Sequence, residues 1–148
     1  MRGRSPPLIE LRNIQRRIRV AVPKLQQFAE VAGLLVWKNK RLPSEIMSLD
    51  RIYVLMVSDR RMAALHQKFR AEPGPTDVLT FQHGEIVISV ETAARQARMF
   101  HNSLTAEIQL YLMHGLLHLA GFDDVTARDR RRMDRLQKKL LAIALRHL

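Results

Sequence analysis

Apolar and polar residues follow two periods along this chain, and the switches between them mark its elements. "LIELRNI" (8–14) alternates closely enough for a short strand. "VPKLQQFAEVAGLLVW" (22–37) sets Leu25, Phe28, Ala29 and Ala32 at helical spacing, with Pro23 near the first turn, where a missing N–H costs little. "RIYVLMVS" (51–58) is rich in β-branched and aromatic residues and reads as a buried strand. "DRRMAALHQKFR" (59–70) then carries Met62, Leu65 and Phe69 on one helical face, and "AEPGPTD" (71–77) is a turn-rich loop. "VLTF" and "EIVIS" are two short strands separated only by "QHG", which predicts a tight hairpin.

The second half changes character. "VETAARQARMFHN" (90–102) and "SLTAEIQLYLMHGLLHLA" (103–120) both read as helices. Ser103 is a candidate N-cap for the longer one, and Gly121 supplies a left-handed residue to end it. That helix is apolar nearly all round, which marks it as buried. The final segment opens with Thr126 and carries Asp129 three residues on, close in type to a capping box. Met133, Leu136, Leu140 and Ala144 give it a core-facing stripe. There are no repeats, low-complexity tracts or internal linkers. The pattern predicts one mixed α and β domain.

Composition narrows the class. With 148 residues and 47% apolar side chains, the chain can bury an ordinary core without staples. It has no cysteine, which excludes disulfide frameworks, thiolate metal sites and cysteine nucleophiles. The N-terminal "MRGRSPPLIELRN" lacks the apolar run of a signal peptide, and no window approaches a membrane-spanning length. A soluble intracellular protein is the expectation. Lys and Arg number 25 against 14 Asp and Glu, a net charge of +11 that suits a polyanionic partner, most often nucleic acid. The cations gather in "RNIQRRIRVAVPK" and "RDRRRMDRLQKK", without interleaved aromatics, so phosphates rather than bases are the expected handle.

The stretch with chemistry is "MHGLLHLAGFDDVT". Residues four apart share a helix face, so His114 and His118 can aim both imidazoles at one atom, as helical zinc sites do. Tyr111 and Glu107 extend that face backwards. After Gly121 turns the chain, Asp123 or Asp124 can supply a carboxylate to complete a three-ligand set. Two desolvated imidazoles are costly in an apolar helix, and ligation removes that cost. The residue after His114 is Gly115, so the glutamate of the H-E-x-x-H peptidase motif is missing. Gly115 also weakens the helix, which implies a close approach to its backbone.

These residues carry a family resemblance. "HGLLHLAGFDD" resembles the H-G-x-L-H-L-x-G-[YF]-D-H signature of the YbeY family, metal-dependent endoribonucleases of rRNA maturation. "FRAEPGPTDVLTF" resembles that family's Y-R-x-K-D-x-P-T-D-V-L-S-F segment, and "GEIVIS" its G-D-I-x-I-S strand. The resemblance covers residues 50–145. It implies an α+β fold, with a small mixed sheet packed by several helices in a zincin-like metal-hydrolase architecture. It also implies a cytoplasmic location, one zinc per chain, and RNA as partner (rRNA and ribosomal particles) with no membrane.

Carried over, the three metal ligands fall on His114, His118 and Asp124, where the family has a third histidine. A His, His, carboxylate set also suits other divalent metals such as iron or nickel. Arg70 and His114 become the candidate catalytic residues, with Arg70 holding the substrate phosphate beside the metal. Thr76 and Asp77 read as turn and strand-entry residues, and Glu107 as a second partner to a ligand histidine or a cap near the helix start. Glu72, Pro73 and the short "QHG" connection depart from the family pattern. The expected function is single-strand-specific, zinc-dependent RNA cleavage in rRNA processing and ribosome quality control. Its rivals are a metallopeptidase-like hydrolase and a non-catalytic RNA-binding assembly factor with a structural metal.

Overall fold

The computed structural model describes residues 5–70 and 77–148, without the side chains of residues 69 and 70. The described elements follow the order β1 (Leu8–Asn13), α1 (Val22–Asn39), a short 3-10 helix (Glu45–Ser48), β2 (Arg51–Val57), α2 (Asp59–Arg70), β3 (Val78–Phe81), β4 (Glu85–Ser89), α3 (Val90–Met99), α4 (Leu104–Leu119) and α5 (Ala127–Arg146). The four strands form one mixed sheet in the order β1-β2-β4-β3. β1 pairs with β2 and β2 with β4 in parallel, while β3 and β4 form the antiparallel hairpin. This is an α+β fold. None of its described helices is long and apolar enough to cross a membrane.

Strand alternation divides the core in two. Ile52, Val54 and Met56 of β2 and Ile86 and Ile88 of β4 face the larger core, together with Ile9 and Leu11 of β1. Val57, Leu79 and Val87 face the other way and meet Met62 of α2. So α1 and α4 cover one face, with α3 and α5 packed beside α4, while α2 lies on the other. The hairpin turn closes with the Gly84 N–H donating to the Phe81 carbonyl at 3.0 Å, and Gly84 adopts φ 104°.

Most sequence expectations hold at residue level. Leu25, Phe28, Ala29 and Ala32 are buried, as are Met133, Leu140 and Ala144. Leu136 is not the second core position of α5. Gln137 takes that place and Leu136 sits half-buried beside it. The side chain of Phe69 and the "AEPGPTD" loop up to Thr76, with Glu72 and Pro73, lie outside the described residues.

α4 is buried because of where it lies, between the sheet and three other helices. Its seat on β4 depends on Gly115, where an added Cβ would stand 2.8 Å from Ile86 Cγ2 and 3.0 Å from Cδ1. Alanine at 115 gains about 1 kcal/mol in helix propensity. It also overpacks a branched side chain that cannot swing clear, at a cost of roughly 1–3 kcal/mol. We expect Gly115→Ala to lower stability in urea unfolding, and Ile86→Ala in the same chain to offset part of that loss. Strict additivity of the two changes would mean that the contact does not hold α4 in place.

A polar knot ties α2 to the start of α3. The Asp59 carboxylate accepts from Ser89 Oγ at 2.5 Å and from Thr92 Oγ1 at 2.7 Å, and pairs with Arg95 at 2.8 Å. Glu91 in turn accepts from the Asp59 N–H at 2.9 Å. Burial pushes the Asp59 carboxyl upward, but the hydrogen bonds from Ser89, Thr92 and Arg95 outweigh it and hold its pKa below the usual value. The stability this contributes is present above the unfolded pKa and lost as pH falls through the folded one. In acid titration of unfolding, Asp59→Asn should therefore lose stability at neutral pH and show a shallower fall below about pH 4. Parallel curves for the two proteins would remove Asp59 from this role.

Candidate metal centre

The C-terminal end of α4 is built to present two imidazoles and turn. Ser103 Oγ accepts the Ala106 N–H at 3.0 Å, capping the helix start as expected. At the other end Gly121 takes φ 95°, the Gly121 N–H donates to the His118 carbonyl at 3.1 Å, and the Phe122 N–H donates to the Leu117 carbonyl at 3.0 Å. This pair of bonds is a Schellman stop, and it reverses the chain within three residues. The turn is also packed from outside. A Cβ on Gly121 would stand 3.1 Å from the Cβ atoms of Arg41 and Ser44, and the Arg41 N–H caps the Ala120 carbonyl at 2.9 Å. Thr126 then opens α5, its hydroxyl accepting the Asp129 N–H at 3.0 Å.

The turn delivers Asp124 to the two histidines. His114 Nε2 and His118 Nε2 lie 3.0 Å apart, and Asp124 Oδ2 stands 3.6 Å from the first and 3.8 Å from the second. Among the described residues these three form the group able to hold a metal ion. Asp123 is not part of it. Its carboxylate turns to the Val125 N–H at 3.4 Å.

The hydrogen bonds behind the rings decide what the site offers. His118 Nδ1 meets the Phe122 carbonyl at 3.0 Å, which can only accept, so that nitrogen carries the proton. His114 Nδ1 likewise donates to Gln137 Oε1 at 2.9 Å. Neutral rings held this way point two Nε2 lone pairs at one another, beside a carboxylate. Burial holds the His118 imidazole below its usual pKa and His114 pushes the same way, while Asp124, the Phe122 carbonyl and Asp123 oppose them. The lone-pair form is thus favoured at neutral pH. Such a cluster is repulsive unless a cation joins it.

The spacing fits one. A tetrahedral ion with bonds of about 2.0–2.1 Å separates its donors by about 3.4 Å, in the middle of the three observed distances. His114 and His118 are about a quarter exposed and Asp124 43%, so the trio is open on one side. It opens into a cleft of about 640 Å³, which His66, Asp77, Thr80 and Gln82 also line.

Two participants escaped the sequence reading. Gln137 occupies the buried stripe of α5 at i+4 from Met133 and three before Leu140. A carboxamide at a core position was the available signal. His66, buried on α2, lines the cleft four residues before Arg70, whose own side chain lies outside the described residues. Asp77 does enter β3, its carbonyl accepting from the Ser89 N–H at 3.0 Å. Glu107 partners Asn102 at 3.4 Å at the helix start and makes no hydrogen bond to a histidine among the described residues. The Tyr111 hydroxyl is buried beside Glu107, and burial, then the Glu107 carboxylate and Asp77, push its pKa far up.

Known proteins share this arrangement of sequence and fold. The family model described as "Endoribonuclease YbeY" matches residues 10–144. A protein named endoribonuclease YbeY from Anaeromyxobacter sp. (strain Fw109-5) is 42% identical over 99 residues, 60% of this chain and 52% of that protein. One from Thermodesulfovibrio yellowstonii is 29% identical over 151 residues, covering 90% of this chain and 95% of the relative. A chloroplastic relative from Arabidopsis thaliana is 36% identical over 135 residues, 80% of this chain but only 23% of its own length. The solution structure of a Thermotoga maritima protein superposes with TM-score 0.66 at 29% identity, covering 92% of this chain and 88% of that one.

The site makes graded demands on its residues. His118→Ala should abolish tight metal binding. Asp124→Ala should weaken it severely, and Asp124→His should keep it. Gln137→Met leaves the first three donors in place but removes the acceptor for His114 Nδ1, so affinity should fall roughly 10–100-fold. Gln137→Glu, which retains an acceptor, should not show that loss. Competition against a chromophoric chelator reads all five. Equal affinity in wild type and Asp124→Ala would remove Asp124 from the ligand set.

Proposed function

Because the chain belongs to the YbeY family, we propose that it is a metal-dependent endoribonuclease that cuts single-stranded RNA during ribosomal RNA maturation and ribosome quality control in the cytoplasm. Zinc is the proposed ion. The observation that carries the reading is the meeting of His114 Nε2, His118 Nε2 and Asp124 Oδ2 at the mouth of a cleft. An ion held by these three supplies positive charge and Lewis acidity to a phosphoryl centre.

The chain's own residues do the rest. Gln137 and the Phe122 carbonyl fix both rings with their Nε2 lone pairs outward. The Gly121 turn holds Asp124 against them. Arg70, the last residue of α2, provides a planar cation to the negative charge that builds on the phosphoryl group in the transition state. The cleft beside the trio, also lined by His66, Thr80 and Gln82, has a volume of about 640 Å³, enough to take a nucleotide.

Gly115 speaks against a peptidase. The glutamate base of helical zinc peptidases would sit there, and even its Cβ would stand 2.8 Å from Ile86 Cγ2.

Single-turnover cleavage of an unstructured RNA, with protein in excess, tests the proposal. Zinc-loaded wild type should cut, chelation should stop it, and elemental analysis should find about one zinc per chain. Arg70→Ala should retain its metal yet cut on the order of a hundredfold more slowly, with Arg70→Lys only partly restored. Undiminished cleavage by Arg70→Ala would take Arg70 out of the reaction. A metal-loaded wild type that binds RNA and leaves it intact would replace the enzyme with an assembly factor carrying a structural ion.

A further inference from the structure

The cations of α5 are sorted by the helix. At 100° per residue, Arg128, Arg131, Arg132, Arg135, Lys138, Lys139 and Arg146 fall within an arc of about 120°. The arc is centred opposite the buried face of Met133, Gln137, Leu140 and Ala144. It runs roughly 27 Å along the helix. All seven are exposed, and none makes an ion pair with a described residue. Both acidic residues of the helix, Asp129 and Asp134, lie outside the arc. Arg132, Arg135 and Lys139 border a shallow groove floored by Leu136.

Folding accounts for only part of this pattern. Asp129–Arg132, Arg131–Asp134 and Asp134–Lys138 set opposite charges three and four apart, but within the arc Arg128–Arg132, Arg131–Arg135 and Arg135–Lys139 set like charges at that spacing. Arg128 also sits in the first turn, at the positive end of the helix dipole. Two acidic residues beside seven cations leave the stripe with an excess of positive charge that a polyanion would relieve.

We propose that the outer face of α5 is an RNA docking rail that grips phosphates and leads the strand to the cleft. This rests on the proposed RNA substrate and adds to it a surface outside the metal centre. The rail begins close in the chain to the site, since Arg128 is four residues beyond Asp124. RNA fits better than an anionic membrane. A helix that lies on a membrane inserts its apolar face, and here that face is packed against α1 and α4.

The experiment is RNA binding by fluorescence anisotropy across a potassium chloride series, in chelator so that nothing is cut. It compares wild type with Arg131→Glu/Arg135→Glu/Lys138→Glu and with the milder Gln triple at the same positions. Arg16→Glu/Arg19→Glu/Lys24→Glu, on exposed cations elsewhere, is the control. Each phosphate contact on a single strand contributes about 0.7 to the slope of log affinity against log salt. Both α5 triples should therefore reduce that slope by roughly 2, and the control should not. An unchanged slope in the folded Gln triple, or an equal reduction in the control, overturns the rail. So does flotation with phosphatidylserine–phosphatidylcholine vesicles that depends on these three residues while the RNA slope stays constant. Cleavage of a short oligonucleotide is read separately. Retained cleavage with an unchanged slope sinks the rail and spares the reaction, and a reduced slope without cleavage does the reverse.

Discussion

Everything at the metal centre depends on how closely one helix can approach the sheet. α4 carries both histidines, and Gly115 between them lets its backbone close on Ile86 of β4. A side chain there would lift the helix and carry His114 and His118 outward with it. The glycine weakens the helix locally, but burial among α1, α3, α5 and the sheet more than offsets that. Propensity yields to packing at the residue next to the chemistry. The same closeness excludes a carboxylate from position 115, so the packing constraint also limits which reactions the site can support.

Closeness to the core creates an electrostatic problem that the rest of the site resolves. Two imidazoles at the end of an apolar helix lose water, and each ring nitrogen needs a partner. The inner nitrogens find theirs in the Phe122 carbonyl, supplied by the Gly121 turn, and in Gln137, supplied by α5. Once those bonds form, both outer lone pairs converge 3.0 Å apart beside Asp124. The fold has thus satisfied every protein-side requirement and left a deficit of positive charge at one point. A neutral carboxamide behind His114 fixes the tautomer without adding a second negative charge near Asp124.

How much of this was legible follows from the range of the interactions. Periodicity and caps are local, so Ser103, Thr126, Gly121 and the buried faces of α1 and α4 could be read directly. The i, i+4 histidines were legible because a helix alone brings them together. Asp124 was within reach because one glycine turn connects it, although spacing could not separate it from Asp123. What escaped reading is non-local. The parallel pairing of β1, β2 and β4 depends on helices crossing between strands, and no strand signals its partner. Gln137 lies 23 residues from His114 and meets it only because α5 packs on α4. The Arg41–Ser44 segment that backs Gly121 comes from a stretch with no periodicity at all.

As a candidate ligand, Asp124 has consequences beyond the geometry of the trio. Three imidazoles leave a bound dication its full charge, whereas a carboxylate removes one unit and weakens its pull on a phosphate oxygen. Attraction for a polyanion must then come from elsewhere, and this chain carries a net charge of +11 with its densest cations on the outer face of α5. Surface charge acts over roughly 10 Å at moderate salt and is screened beyond it. Charge of this kind attracts a polyanion from a distance but adds little to contacts deep in a cleft. A partly enclosed cleft does the opposite, strengthening short contacts between charges and contributing little at a distance. The proposed rail and the candidate metal centre would therefore answer differently to salt, because exposed charges on α5 are screened and short contacts inside the cleft much less so.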